Sequence, residues 1–102
     1  TGKLIKISEL DMGYRESGST TDLTTDAITF EQAQEMSAFY QNIVKAYFEL
    51  IPAAQRYGIT HWSPLDSPAS SSWRAKEPIG LWNLNYNRKP AYAGFADGLS
   101  GK

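Results

Sequence analysis

Two carboxylates, Glu9 and Asp11, stand at the end of an apolar run, "LIKISELDM" at residues 4–12. In an extended segment, side chains two apart share a face. Ile5, Ile7, Glu9 and Asp11 are therefore expected to point one way, and Leu4, Lys6, Ser8, Leu10 and Met12 the other. One face is apolar and turns acidic at its C-terminal end, as a barrel strand does on leaving a packed interior for a catalytic mouth. Glu9 there could serve as a nucleophile or an acid/base, or simply as a solvated strand-end carboxylate. Asp11 would repel it, so Asp11 counts as a helper only where a cation or a donor intervenes. A structural role, satisfying backbone donors of the next loop, is favoured for Asp11. Lys6 and Ser8 fall on the helix-facing side, where buried polar groups would need partners.

The next candidates are aromatic. The chain carries six Tyr, four Phe and three Trp. Rings fill cores, but they also offer an apolar face to the C–H bonds of a sugar while keeping a polar handle. Trp62 ends a strand-like run and Trp73 ends a Ser/Pro loop, "SPLDSPASSSW", with Arg74 directly after it. Arg74 could contact hydroxyl groups of a ligand or pair with a carboxylate, and the ion pair is the simpler expectation. Trp82, between Leu81 and Leu84, reads as core. His61 alternates away from Trp62 and is expected on the helix-facing side as a structural histidine.

Composition removes several classes. Ten basic and eleven acidic residues leave a formal charge of -1, which gives no electrostatic case for nucleic acid or an anionic membrane. No apolar run is long enough to span a bilayer. With no cysteine and one histidine, neither disulfides nor a thiolate or His-rich metal site is available, and no cofactor is called for. Thr1 opens the chain without a charged and apolar leader, so no signal peptide is expected. At 102 residues the chain, 1–102, holds one small core and not two domains.

These residues need elements to hold them. "GYRESGSTTDLTTDA" at 13–27 reads as a loop, longer than the usual strand–helix connection. Thr29, with Gln32 three residues on, predicts a capped helix start. Phe30, Ala33, Met36, Tyr40, Ile43, Val44, Tyr47, Phe48 and Ile51 then form one apolar stripe that ends or kinks at Pro52. Any continuation to Arg56 should stop at Gly58 as a left-handed cap. "GITHWSPLD" at 58–66 reads as a second strand ended by Pro64, and Pro90 opens a last helix. Strand, loop, helix, strand, loop, helix is two consecutive βα units, the order of a parallel α/β sheet or barrel.

With that order in place, the chain resembles glycoside hydrolase family 10, the retaining endo-β-1,4-xylanases. "KISELDM" resembles the family's nucleophile strand, "GITHWSPLD" with Ser72, Trp73 and Arg74 its eighth-strand motif, and "GLWNLNYNRKPAY" its closing segment. Ser63 stands where the family usually has Gly, and Arg88 where Pro is frequent. The resemblance implies a (β/α)8 TIM barrel, of which these would be the seventh and eighth βα units. It implies Glu9 as the catalytic nucleophile and Trp62, Trp73 and Arg74 as substrate-binding residues for xylan or xylooligosaccharides. The family's acid/base Glu sits in a Trp-Asn-Glu-type context on the fourth strand, and no such motif occurs here. The parent is then expected to be secreted. This chain is expected to be inactive alone, and to associate with itself or with the N-terminal part of the barrel. The alternatives are a non-catalytic carbohydrate-binding module, disfavoured by the long helix because such modules are mostly β-sandwiches, and a self-associating barrel fragment.

Overall fold

The capping box forms as the sequence predicts. In a computed structural model that describes residues 3–101, the Thr29 side chain accepts from the Gln32 backbone N–H, and the Gln32 side chain accepts from the Thr29 backbone N–H. The helix so opened, α1, runs Phe30–Leu50 and packs against α2, Pro90–Leu99, which has Pro90 in its first turn. Between them in the chain lie a 3-10 turn at Ala53–Gln55 and a strand; a second strand precedes α1. We label the strands β1, Ile5–Leu10, and β2, Arg56–His61; they pair in parallel as a two-stranded sheet.

The second strand departs from expectation. It starts at Arg56 and ends at His61, before Pro64, and Gly58 lies inside it rather than capping a helix. Gly58 takes φ 151° beside a register slip in which Ile5 pairs with Arg56 and Lys6 with Gly58, so one extra residue, Tyr57, is inserted in β2. The N–H groups that this bulge frees have a partner. The Tyr47 hydroxyl accepts from Tyr57 N and Gly58 N, both at 3.1 Å, and donates to Ile5 O at 2.6 Å.

A second slip falls in β1 between Ile7 and Leu10, opposite Ile59 and His61. Here the extra residue is on β1, so the simple alternation of 5, 7, 9 and 11 is interrupted between Ile7 and Leu10. Ile7 pairs with Ile59, and Ile59, like Leu10 and Met12, packs against the helix-side core of Tyr40, Val44, Ala91 and Phe95. Lys6 and Ser8 are exposed, which answers how their polar groups are satisfied, and Lys6 Nζ stands 5.6 Å from the Tyr57 ring centre.

The core is built by close approach of the helices. A β-carbon on Gly94 would lie 2.0 Å from Ser37 O, and one on Gly98 would lie 2.8 Å from Val44 Cβ. Only glycine lets α2 settle on α1 at that distance. His61 joins this side as predicted, its Nε2 3.1 Å from the Tyr40 hydroxyl and its ring edge-on to Tyr40 and Phe95. The stripe of α1 is narrower than the sequence pattern: Met36, Tyr40, Val44 and Tyr47 are buried, whereas Phe30 is exposed. Trp82 is half-buried against Tyr92, but its neighbour Leu84 is exposed and not core. Among the described residues no helix is long and apolar enough to cross a membrane.

Candidate active site

The C-terminal ends of two adjacent parallel strands deliver Glu9 and Trp62 side by side. Glu9 is the penultimate residue of β1, next to the second bulge, and Trp62 follows the last residue of β2. Bulges re-aim side chains, and here the bulge turns the chain where the first carboxylate emerges. Trp62 N donates to Leu10 O at 2.9 Å, extending the sheet contact past the end of β2 and tying the two candidates together through backbone. The Trp62–Ser63 peptide bond is cis.

Glu9, Asp11, Trp62 and Trp73 line one open cavity of about 360 Å³. Glu9 is exposed and makes no side-chain hydrogen bond or ion pair among the described residues. Its carboxylate is free to meet a ligand. Asp11 is engaged: its Oδ2 accepts from Trp73 Nε1 at 2.7 Å and stands 3.5 Å from Arg74 Nε. A donor and a cation therefore both engage the Asp11 carboxylate, while Glu9 has neither. Trp62 and Trp73 keep 47% and 53% of their surface exposed, far more than core tryptophans would.

Arg74 does not line that cavity; it fastens its wall. The guanidinium Nη1 pairs with Glu77 at 3.0 Å and with Asp22 at 3.5 Å, so three carboxylates hold one cation. Asp22 is also bonded by Arg15, and that hydrogen bond holds its carboxyl below the usual carboxylate range. The ion-pair expectation for Arg74 is thus met. The Trp73 loop is fixed from behind, because the Ser67 and Ser71 hydroxyls both donate to Trp73 O at 2.8 Å.

Sequence reasoning missed the anchor of this loop. Asp66 is buried and makes an ion pair with Lys89 Nζ at 2.5 Å, while Gly80 N donates to it at 3.0 Å and the Thr25 hydroxyl at 3.3 Å. Lys89 also donates to Pro78 O at 3.0 Å, and burial pulls its pKa below the ordinary lysine value despite Asp66. One carboxylate therefore joins both long loops to the start of α2. No periodicity could have found it; the only signal was an Asp between Leu65 and "SP", and a Lys just before the Pro of α2. Among the described residues no cluster of His, Asp or Glu could hold a metal ion.

The family model for glycosyl hydrolase family 10 matches residues 1–98. The chain belongs to that family. It is 32% identical to the endo-beta-1,4-xylanase Xyn10C of Cellvibrio japonicus over 98% of its own length, which is 18% of that protein. It is 34% identical to endo-1,4-beta-xylanase A of C. japonicus strain Ueda107, over 96% of this chain and 17% of that one. The chain thus spans less than a fifth of these relatives. Among solved structures, a mutant of xylanase A from P. fluorescens subsp. cellulosa in complex with xylopentaose superposes with TM-score 0.77 at 33% identity, over 96% of this chain and 31% of that chain. The catalytic core of xylanase A gives TM-score 0.74 at 33% identity, covering 94% and 30%. The two βα units are accordingly a partial α/β piece of a family 10 TIM barrel.

Proposed function

We propose that this chain forms the seventh and eighth βα units, the C-terminal part of one catalytic domain, of a secreted endo-1,4-β-xylanase. Glu9 is its nucleophile. The observation that carries the reading is the cavity in which Glu9, unpaired and exposed, faces Trp62 and Trp73 at the C-terminal ends of parallel strands, where barrel enzymes do their chemistry. Membership in family 10 supports it, and so do the related structures with xylopentaose.

The chemistry follows from two carboxyls about 5–5.5 Å apart on either side of a glycosidic bond. Glu9 attacks the anomeric carbon as the bond to the leaving oxygen breaks, and an acid from elsewhere in the barrel gives that oxygen its proton. The same group then takes a proton from water, which displaces Glu9 and restores the configuration. Trp62 and Trp73 stack on the sugar rings and hold the bond in line. Arg74 serves substrate binding by fixing Trp73 and Asp11. The missing acid/base is the reason this chain needs the rest of the barrel for turnover.

Glu9→Gln, made in the complete catalytic domain that contains this segment, tests the assignment. Turnover of xylan should vanish while oligosaccharide binding stays nearly intact, because shape is kept and the nucleophilic charge is lost. Activity within about tenfold of the parent, ~1.4 kcal/mol of barrier, would remove Glu9 from the nucleophile role.

A further inference from the structure

Trp73 and Arg74 are neighbours in the chain, yet both side chains converge on one carboxylate. Extended backbone sends neighbouring side chains to opposite sides. Arg74 instead takes φ 45°, a left-handed conformation uncommon for a residue with a β-carbon, and the turn brings guanidinium and indole together on Asp11 Oδ2. The guanidinium lies 5.6 Å from the Trp73 ring centre and is itself gripped by Glu77 and Asp22. The partners Asp11 and Trp73 stand 62 residues apart, so this contact joins the Arg74–Asp22 and Thr25–Asp66 contacts in tying the loop after β2 to the loop after β1. The indole is half exposed, and its N–H is held by Asp11, which lines the same cavity.

We propose that Asp11 is a positioning residue for sugar recognition. With the Arg74 guanidinium 3.5 Å away as an ion-pair partner, it accepts from the Trp73 indole N–H and locks that ring across the cleft from Trp62, setting the spacing into which a pyranose fits. The proposal rests on the xylan reading above, and deepens it. It also makes a distinction within Asp11: the indole needs an acceptor oxygen, which asparagine retains, whereas alanine offers none.

The experiment is a mutant cycle in the complete catalytic domain, read by KM and kcat on xylooligosaccharides. Asp11→Ala should raise KM about tenfold with a smaller change in kcat, and Asp11→Asn should keep KM within about threefold of the parent. Asp11→Ala added to Trp73→Ala should raise KM no further than Trp73→Ala alone, since the ring it positions is gone. Unchanged KM in Asp11→Ala, equal damage from Asp11→Asn, or additive effects in the double variant would overturn the proposal. A second readout is independent of turnover: the 1H–15N resonance of the Trp73 indole should shift in Asp11→Ala and little in Asp11→Asn. An unmoved resonance overturns the contact itself. A shifted resonance in a domain whose parent binds no xylooligosaccharide overturns the sugar role together with the xylan reading.

Discussion

On the helix side of the sheet Tyr40 and Val44 are fully buried, and Gly94 brings α2 within backbone contact of α1. On the cleft side Trp62 and Trp73 stand about half exposed around a cavity, and Glu9 has no partner among the described residues. The same 102 residues thus complete one face and leave the other open. The helix face is sealed by contacts within two consecutive βα units. The cleft face is shaped by polar anchors (Asp66 with Lys89, Asp11 with Arg74) that fix loops without covering the space between them. This partial barrel piece therefore carries its own local core and leaves open the face that holds Glu9, Trp62 and Trp73.

The largest test of that contrast is to study this chain by itself. Its two-stranded sheet has an unpaired edge on each side among the described residues, and Leu4, Ile5, Tyr57 and Trp62 are exposed. Net stabilities of whole domains are only about 5–15 kcal/mol, so such losses matter. The purified chain should sediment as a self-associated species, or bind the N-terminal remainder of the barrel, and hydrolyse no xylan. A well-folded monomer would show that the open face needs no cover. Helical circular dichroism should persist in either state, because α1 keeps its cap and its buried stripe.

Next in size is the anchor behind the cleft. Lys89→Ala leaves Asp66 buried without its cation, a change that costs about 3–5 kcal/mol in comparable buried pairs. Chemical denaturation of the complete domain would measure it. A loss below about 1 kcal/mol would mean that water reaches Asp66 and that the loops are held by something else. Replacing both members with apolar residues should recover much of the loss, since the penalty comes from the unpaired charge.

How much of this was legible in the sequence divides along the same line. Thr29 and Gln32 cap α1, Pro90 opens α2, and His61 turns to the helices, because caps and periodicity are local signals. The start of β2 was misplaced because Gly58 reads equally well as a helix cap or a strand bulge; its φ of 151° and the Tyr47 hydroxyl decide it. A second bulge, between Ile7 and Leu10, likewise breaks the simple alternation, which no periodic reading of β1 could show. Glu9, Trp62 and Trp73 were legible as candidates through strand ends and a family pattern. The contacts that organise them, Asp11 to Trp73 and Asp66 to Lys89, join distant residues and leave no periodic trace.

A smaller effect sharpens the open face. Trp62→Ala and Trp73→Ala, each in the complete domain, should weaken xylooligosaccharide binding by about 1–3 kcal/mol if sugar covers the ring. Calorimetric titration reads this directly. Binding equal to the parent in a folded variant would return either ring to a packing role.

The smallest effect probes the sealed face through His61. Burial holds its pKa below the ordinary 6.5, against the pull of Asp11 and of a backbone hydrogen bond at Ser63, with Lys89 adding to the depression. The unfolded chain then binds a proton at higher pH than the folded one. Between the folded pKa and about 6.5 the unfolded state holds more protons, so stability is full above 6.5 and falls as pH drops through that window. The Tyr40 hydroxyl and His61 Nε2 stand 3.1 Å apart, and the hydroxyl can donate to the neutral imidazole or accept from the protonated one. The unfolding midpoint of the complete domain should therefore drop modestly between pH 7.5 and 5.5, and the His61 ring proton should titrate below 6.5 by NMR. Carboxylates titrate mostly below this range, so His61→Gln, which can still accept from Tyr40, should flatten the dependence. A slope that survives His61→Gln would assign it to other groups, and a ring that titrates at or above 6.5 would mean solvent reaches the face that the helices are read as closing.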